Sequence, residues 1–143
     1  VRIEIIARGI CCLRPGIKGL SENITVRSIV GRYLEHGRVY AFANGGKFGS
    51  SKNLVFMSSA DLMPRNLLRR VEMFVQLENP TVRKQVINQI LTALLQDERN
   101  SWFLMPDGSY RHPETGPDSF SAHDYFIANP SLSGAGSLAR ETK

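Results

Sequence analysis

Two cysteines are all the sequence holds, and they are neighbours, Cys11 and Cys12. Adjacent side chains on an extended chain face opposite ways, so a bond between these two would be strained. No Cys-x-x-Cys or Cys/His spacing offers a zinc site either. The pair reads as one buried and one half-buried thiol in a reducing compartment. No stretch approaches the roughly 18 apolar residues needed to cross a bilayer. A charged leader with an apolar core and cleavage site is missing, as is an initiator Met. The chain opens Val1-Arg2-Ile3-Glu4-Ile5-Ile6 inside a strand-like run, which is what a domain cut from a longer protein would show. No internal repeat is visible.

What remains is ordinary globular material: 143 residues, 42% hydrophobic and 22% charged, with a mean hydropathy of −0.19. That length supports one core and is short for two domains. The net charge of +5 is unevenly placed. Residues 1–75 carry 12 Lys and Arg against 5 Asp and Glu, whereas residues 76–143 carry 6 against 8. Nine of the 12 are Arg, whose planar fork of donors matches phosphate oxygens better than the point charge of Lys. A polyanionic partner is one reading of that half, and a solvated basic face is the other.

Periodicity divides the chain. Residues 1–13 read as a strand, stopped by Arg14-Pro15-Gly16. Spacings of three and four among Ile24, Val26, Ile29, Val30, Tyr33 and Leu34 suggest a short helix after a strand-like start. Arg38–Phe42 and Asn53–Ser58 form a hairpin across the Asn44-Gly45-Gly46 turn. Pro64 starts a helical turn to about Leu68, and Arg70–Leu77 is a further strand. Asn79-Pro80 opens the clearest amphipathic helix, running to Gln96–Arg99. Ser101–Leu104 with Gly108–Arg111 suggests a small hairpin, and Ser119–Phe126 a last short helix. From Asn129 polar and small residues predict a disordered tail. Together these predict an α/β domain over 1–128 with a mixed β-sheet flanked by helices, followed by the tail over 129–143.

Three stretches could carry chemistry. Arg8-Gly9 near the end of the first strand would let a guanidinium and bare backbone approach a ligand; a surface Arg before a flexible Gly is the plainer alternative. In Glu35-His36-Gly37-Arg38 the imidazole and guanidinium would share one strand face, suited to holding a phosphoryl group. A lone polar His at a strand edge is the plainer alternative. Ser58, Ser59, Asp61 and Asn66 could orient that His or simply cap turns.

These stretches resemble a family. The strings ARGICCLRPGIKGLSENITVRSIVGRYLEHGRVYAFANGG and SSADLMPRNLLRRVE are similar to the final domain of bacterial polyphosphate kinases, from about Ile5 to Leu77. The resemblance implies a phospholipase D-like half, one of a pair that each give one His to a shared site. It implies reversible transfer of the terminal phosphate of ATP to inorganic polyphosphate through a phosphohistidine formed upstream. It also implies Mg2+ bound mainly outside these residues, no metal ligand within them, and ADP as the nucleotide product. Upstream domains of the same chain, a homo-oligomer, and a cytoplasmic enzyme with or without peripheral membrane association complete the picture.

By this resemblance His36 is the second active-site His, contacting phosphate together with Arg8. Arg38 stands where the phospholipase D pattern has Lys, and Ser58, Ser59 and Asn66 loosely match that pattern's support for the His. Leu62 stands where Trp is expected. His112 and His123 match nothing and read as ordinary. Two other classes stay open. A phospholipase D-like phosphodiesterase or nuclease would need His-x-Lys-x4-Asp, which His36-Gly37-Arg38 followed by Asn44-Gly45 lacks. A non-enzymatic nucleic-acid module would interleave aromatics with cations, for which Tyr33, Tyr40 and Phe42 are available.

Overall fold

The computed structural model describes residues 1–9 and 11–130. The described residues divide into two units, one built from 1–35 and 93–130, the other from 36–92.

In the first unit, Ile24-Thr25-Val26-Arg27-Ser28-Ile29 is β2, with four β-branched residues among six and partners on both sides. Strand β1 (Ile3–Ile6) pairs with it in parallel, Ile3 opposite Ile24. On its other side β6 (Ser101–Leu104) runs antiparallel, Ser28 opposite Trp102. Short β7 (Tyr110–Arg111) adds the last edge. The helical spacing in Ile24–Leu34 is therefore misleading. Val26 is fully buried at the middle of a central strand, and sheet pairing on two sides overrides a weak local preference. Beyond Ile29 the chain is irregular to Arg38. Strand β1 is also shorter than its apolar run, ending at Ile6.

The turn joining β1 to β2 is organised by Ser21, which is buried. Its hydroxyl donates to the Arg14 carbonyl at 2.6 Å and accepts from the Ile17 amide at 3.1 Å. Helix α4 (Ala122–Ala128) closes this unit, starting three residues later than the pattern suggested because Ser121 is its cap.

The second unit holds an antiparallel sheet: β3 (Val39–Phe42), β4 (Leu54–Ser58) and β5 (Phe74–Gln76). The β3–β4 turn needs left-handed backbone at Asn44 (φ 50°) and Gly45 (φ 74°), residue types that adopt it cheaply. Asn53, wholly buried, ties the following loop by giving its amide to the Ala43 and Lys47 carbonyls. Helix α1 (Pro64–Arg69) precedes β5.

Helix α2 (Pro80–Gln85) follows, its first amides received by the Asn79 side chain. It continues through a wider π-helical turn, Val86–Leu91, into α3 (Thr92–Gln96). Val86 and Ile87 pack on Val55, with Val39, Ala41 and Leu77 around them. The other sheet face carries Tyr40, Phe42, Phe56 and Phe74; the Phe56 and Phe74 rings stack at 4.8 Å.

The α/β class with a mixed sheet and helices is as the sequence predicts, though the strands form two sheets rather than one. Of the tail over 129–143, Asn129 and Pro130 are described, with Asn129 ending α4; residues 131–143 lie outside the described residues.

Candidate active site

Arg8 and the segment leading to His36 both leave the carboxyl ends of neighbouring parallel strands, β1 and β2. In open α/β sheets that end is where ligands gather. Arg8 is exposed, and its Nη1 donates to the Glu35 carbonyl at 3.2 Å. It lines a groove of about 600 Å³ whose walls include Arg14, Cys12, Trp102 and Tyr110. Cys11 is half-buried and Cys12 exposed, so both thiols lie further out than their neighbours in sequence suggested; both are free.

The other cations of this unit are largely engaged. Arg27 donates to the Leu95 carbonyl at 2.9 Å, stands 3.6 Å from Glu4, and lies over the Phe103 ring. Arg14 gives both Nε and Nη2 to the Pro106 carbonyl. Much of the Arg-rich half is thus structural.

In the second unit His36 is exposed just ahead of β3. Arg38 ties the stretch together: Nε reaches Asp61 at 2.9 Å and Nη1 donates to the His36 carbonyl at 3.0 Å. The guanidinium therefore fixes the backbone that carries the imidazole. The same pair acts on Tyr40. Partial burial pushes the phenol above its usual range; Arg38 pulls it down and Asp61 pushes it up.

Ser58 and Ser59 close the β4 end against the strand that follows. Ser58 Oγ donates to the Met73 carbonyl at 3.0 Å, and Ser59 Oγ meets the Glu72 carboxylate while accepting from the Met73 amide. Neither caps α1, whose N-cap Met63 makes no side-chain bond. Asn66 is buried within α1, its Oδ1 without a hydrogen-bond partner among the described residues. Leu62, in the place of an expected Trp, is exposed. No group of three or more His, Cys, Asp or Glu among the described residues could hold a metal ion. No helix among them is long and apolar enough to cross a membrane.

Two histidines set aside in the sequence have defined places. His112 Nε2 lies 2.9 Å from the Arg99 carbonyl, its ring beside Trp102. His123 is buried, with Nε2 3.0 Å from Glu35 Oε1 across 88 positions of sequence. No local spacing could have disclosed that contact.

The fold is a mixed-sheet α/β domain of the phospholipase D-like class, with cationic and imidazole side chains at the exits of its strands. A family model described as polyphosphate kinase C-terminal domain 2 matches residues 1–123. The chain belongs to the polyphosphate kinase family, in its C-terminal part. It is 56% identical over 136 residues to the polyphosphate kinase of Erythrobacter litoralis, covering 95% of this chain and 19% of that protein. The Paraburkholderia phytofirmans polyphosphate kinase is 48% identical, with 85% and 17% covered. Among solved structures, the crystal structure of polyphosphate kinase from Porphyromonas gingivalis superposes with a TM-score of 0.80 at 33% identity, covering 94% of this chain and 20% of that one. The chain thus spans about a fifth of the length of these relatives.

Proposed function

We propose that this chain is the C-terminal part of a polyphosphate kinase, which reversibly transfers the terminal phosphate of ATP to inorganic polyphosphate. In this reading the phosphate is carried on a His of the remaining, larger part of the protein. This chain supplies Arg8 to grip phosphate oxygens and His36 to stand opposite the phosphohistidine as acid, base or phosphate contact. The observation that carries the reading is the placement of His36: exposed, ahead of β3, with its carbonyl held by Arg38. The names and high identity of the relatives support it.

Mg2+ would neutralise the nucleotide phosphates, and its protein ligands would come from outside the described residues. The aromatic face of Tyr40, Phe42, Phe56 and Phe74, on which Phe42 and Phe74 are about half exposed, offers the rest of the same protein, or a second copy of it, a surface to cover.

The test is phosphate transfer in the full-length protein. His36→Ala should lower turnover by roughly 10²–10⁴-fold, the range for a positioned proton-transfer group, with an unchanged melting curve. Near-normal turnover would remove His36 from the site. A chain that binds polyphosphate but is indifferent to competing ATP at matched ionic strength would instead favour a polyanion-binding module.

A further inference from the structure

His123 touches three alternate residues of the irregular segment that leads to His36. A Cβ at Gly31 would stand 2.5 Å from its Nδ1, so the ring occupies the space that residue leaves open. Tyr33 meets it edge-on, ring centres 5.5 Å apart. Glu35 reaches its Nε2 at 3.0 Å. An ionised carboxylate only accepts, so with Glu35 in that form the contact is made by an Nε2–H donor. Nδ1 is buried and has no hydrogen-bond partner among the described residues.

The imidazole is presented by a fixed frame. Asp97, 2% exposed, receives the Ala122 amide at 2.7 Å, the Asn100 amide at 2.7 Å and the Asn100 side chain at 3.0 Å. Ser121 accepts from that same Asn100 side chain and from the Asp124 amide, setting the first turn of α4. His123 follows two residues later. From it the chain of contacts passes to the Glu35 carboxylate. Glu35 in turn gives its carbonyl to Arg8 and is bonded directly to His36.

We propose that His123 is a positioning residue: through Glu35 it fixes the peptide that seats the Arg8 guanidinium and launches His36. The proposal rests on the reading that Arg8 and His36 work on a phosphoryl group. Its physical content is that a half-exposed glutamate held by a buried donor cannot swing into water and carry that peptide with it. Displacements of the order of 1 Å at such supports can cost about 100-fold in rate.

The experiment compares His123→Gln, His123→Leu and Glu35→Ala in the full-length protein. Each is measured by ATP-dependent phosphate transfer and by hydrogen exchange of a peptide covering residues 31–38. His123→Gln keeps a donor of similar reach; His123→Leu keeps bulk but loses the donor. Leu and the Glu35 variant should lower kcat/KM by roughly 10- to 100-fold and speed exchange across 31–38. Gln should stay within about threefold of the unsubstituted protein with near-normal exchange. The proposal is overturned if Leu matches or surpasses Gln, since packing alone would then explain His123. It is also overturned if Glu35→Ala leaves exchange across 31–38 unchanged. Should the unsubstituted full-length protein transfer no phosphate, the proposed function fails, and the exchange comparison still decides the role of His123.

Discussion

Arg38 holds Asp61 at 2.9 Å and, with a second nitrogen, the carbonyl of His36 at 3.0 Å. One planar group therefore spans a carboxylate and a backbone oxygen, a task an ammonium does less well. Arg38→Lys should lower phosphate transfer by about tenfold through a displaced His36 backbone. A half-exposed ion pair contributes about 1 kcal/mol or less, so the melting temperature should move by under about 5 °C. Full activity in the Lys variant would show that the bridge does not orient His36.

Arg8 tests geometry against charge. Arg8→Lys preserves the positive charge and loses the fork, so a general field effect would survive it. A phosphate grip should weaken by about tenfold or more, equivalent to a charged hydrogen bond of about 1.5 kcal/mol. Arg8→Ala should be worse again. Isothermal titration with ATP across the three proteins, repeated at raised salt, reads this directly; equal affinities for Arg, Lys and Ala would exclude Arg8 from binding.

Tyr40 reports on the same cluster. Its folded-state pKa lies above the ordinary tyrosine value of about 10, so the phenol form is favoured by folding. That contribution is complete below the unfolded pKa and is lost as pH rises through the folded one. Tyr40 should therefore ionise at higher pH in the folded protein than a free tyrosine. Arg38→Ala should move its titration further up and Asp61→Asn should move it down, as ultraviolet difference spectra of single-tyrosine variants would record. A shift in the opposite sense would mean that Arg38 and Asp61 do not flank the phenol in solution.

The Asn79 side chain accepts from the Thr81 amide at 2.9 Å and the Val82 amide at 3.2 Å. Asn79→Ala should cost about 1 kcal/mol and leave nucleotide binding alone, whereas Asn79→Asp should retain most of the stability. Denaturant melts of the two variants would separate a true cap from a chance contact.

Legibility followed how local each determinant is. Asn79-Pro80 and the Asn44-Gly45-Gly46 turn announce themselves because capping and left-handed backbone are decided within three or four residues. Arg8 was visible as a candidate because Gly9 follows it near a strand end, and His36 because Arg38 stands two residues on; the family resemblance named both. Ile24–Ile29 misled because a strand paired on both sides tolerates apolar spacing that also fits a helix. The Glu35–His123 contact was beyond reach, since only the tertiary arrangement brings α4 to that loop. The division of nine arginines between structural and solvent-facing duties likewise depends on carbonyls and rings distant in sequence.

Strand β5 has a partner on one side only among the described residues, and Phe74 and Val75 are about half exposed. An apolar strand with an open row of backbone donors and acceptors is a template for self-association. Glu72 and Glu78 bracket it, placing negative charge at both ends of the run Met73–Leu77. Such flanking charges act as gatekeepers against edge-to-edge stacking. Replacing both glutamates by glutamine should therefore raise the tendency of the chain to self-associate with rising concentration, as light scattering would record.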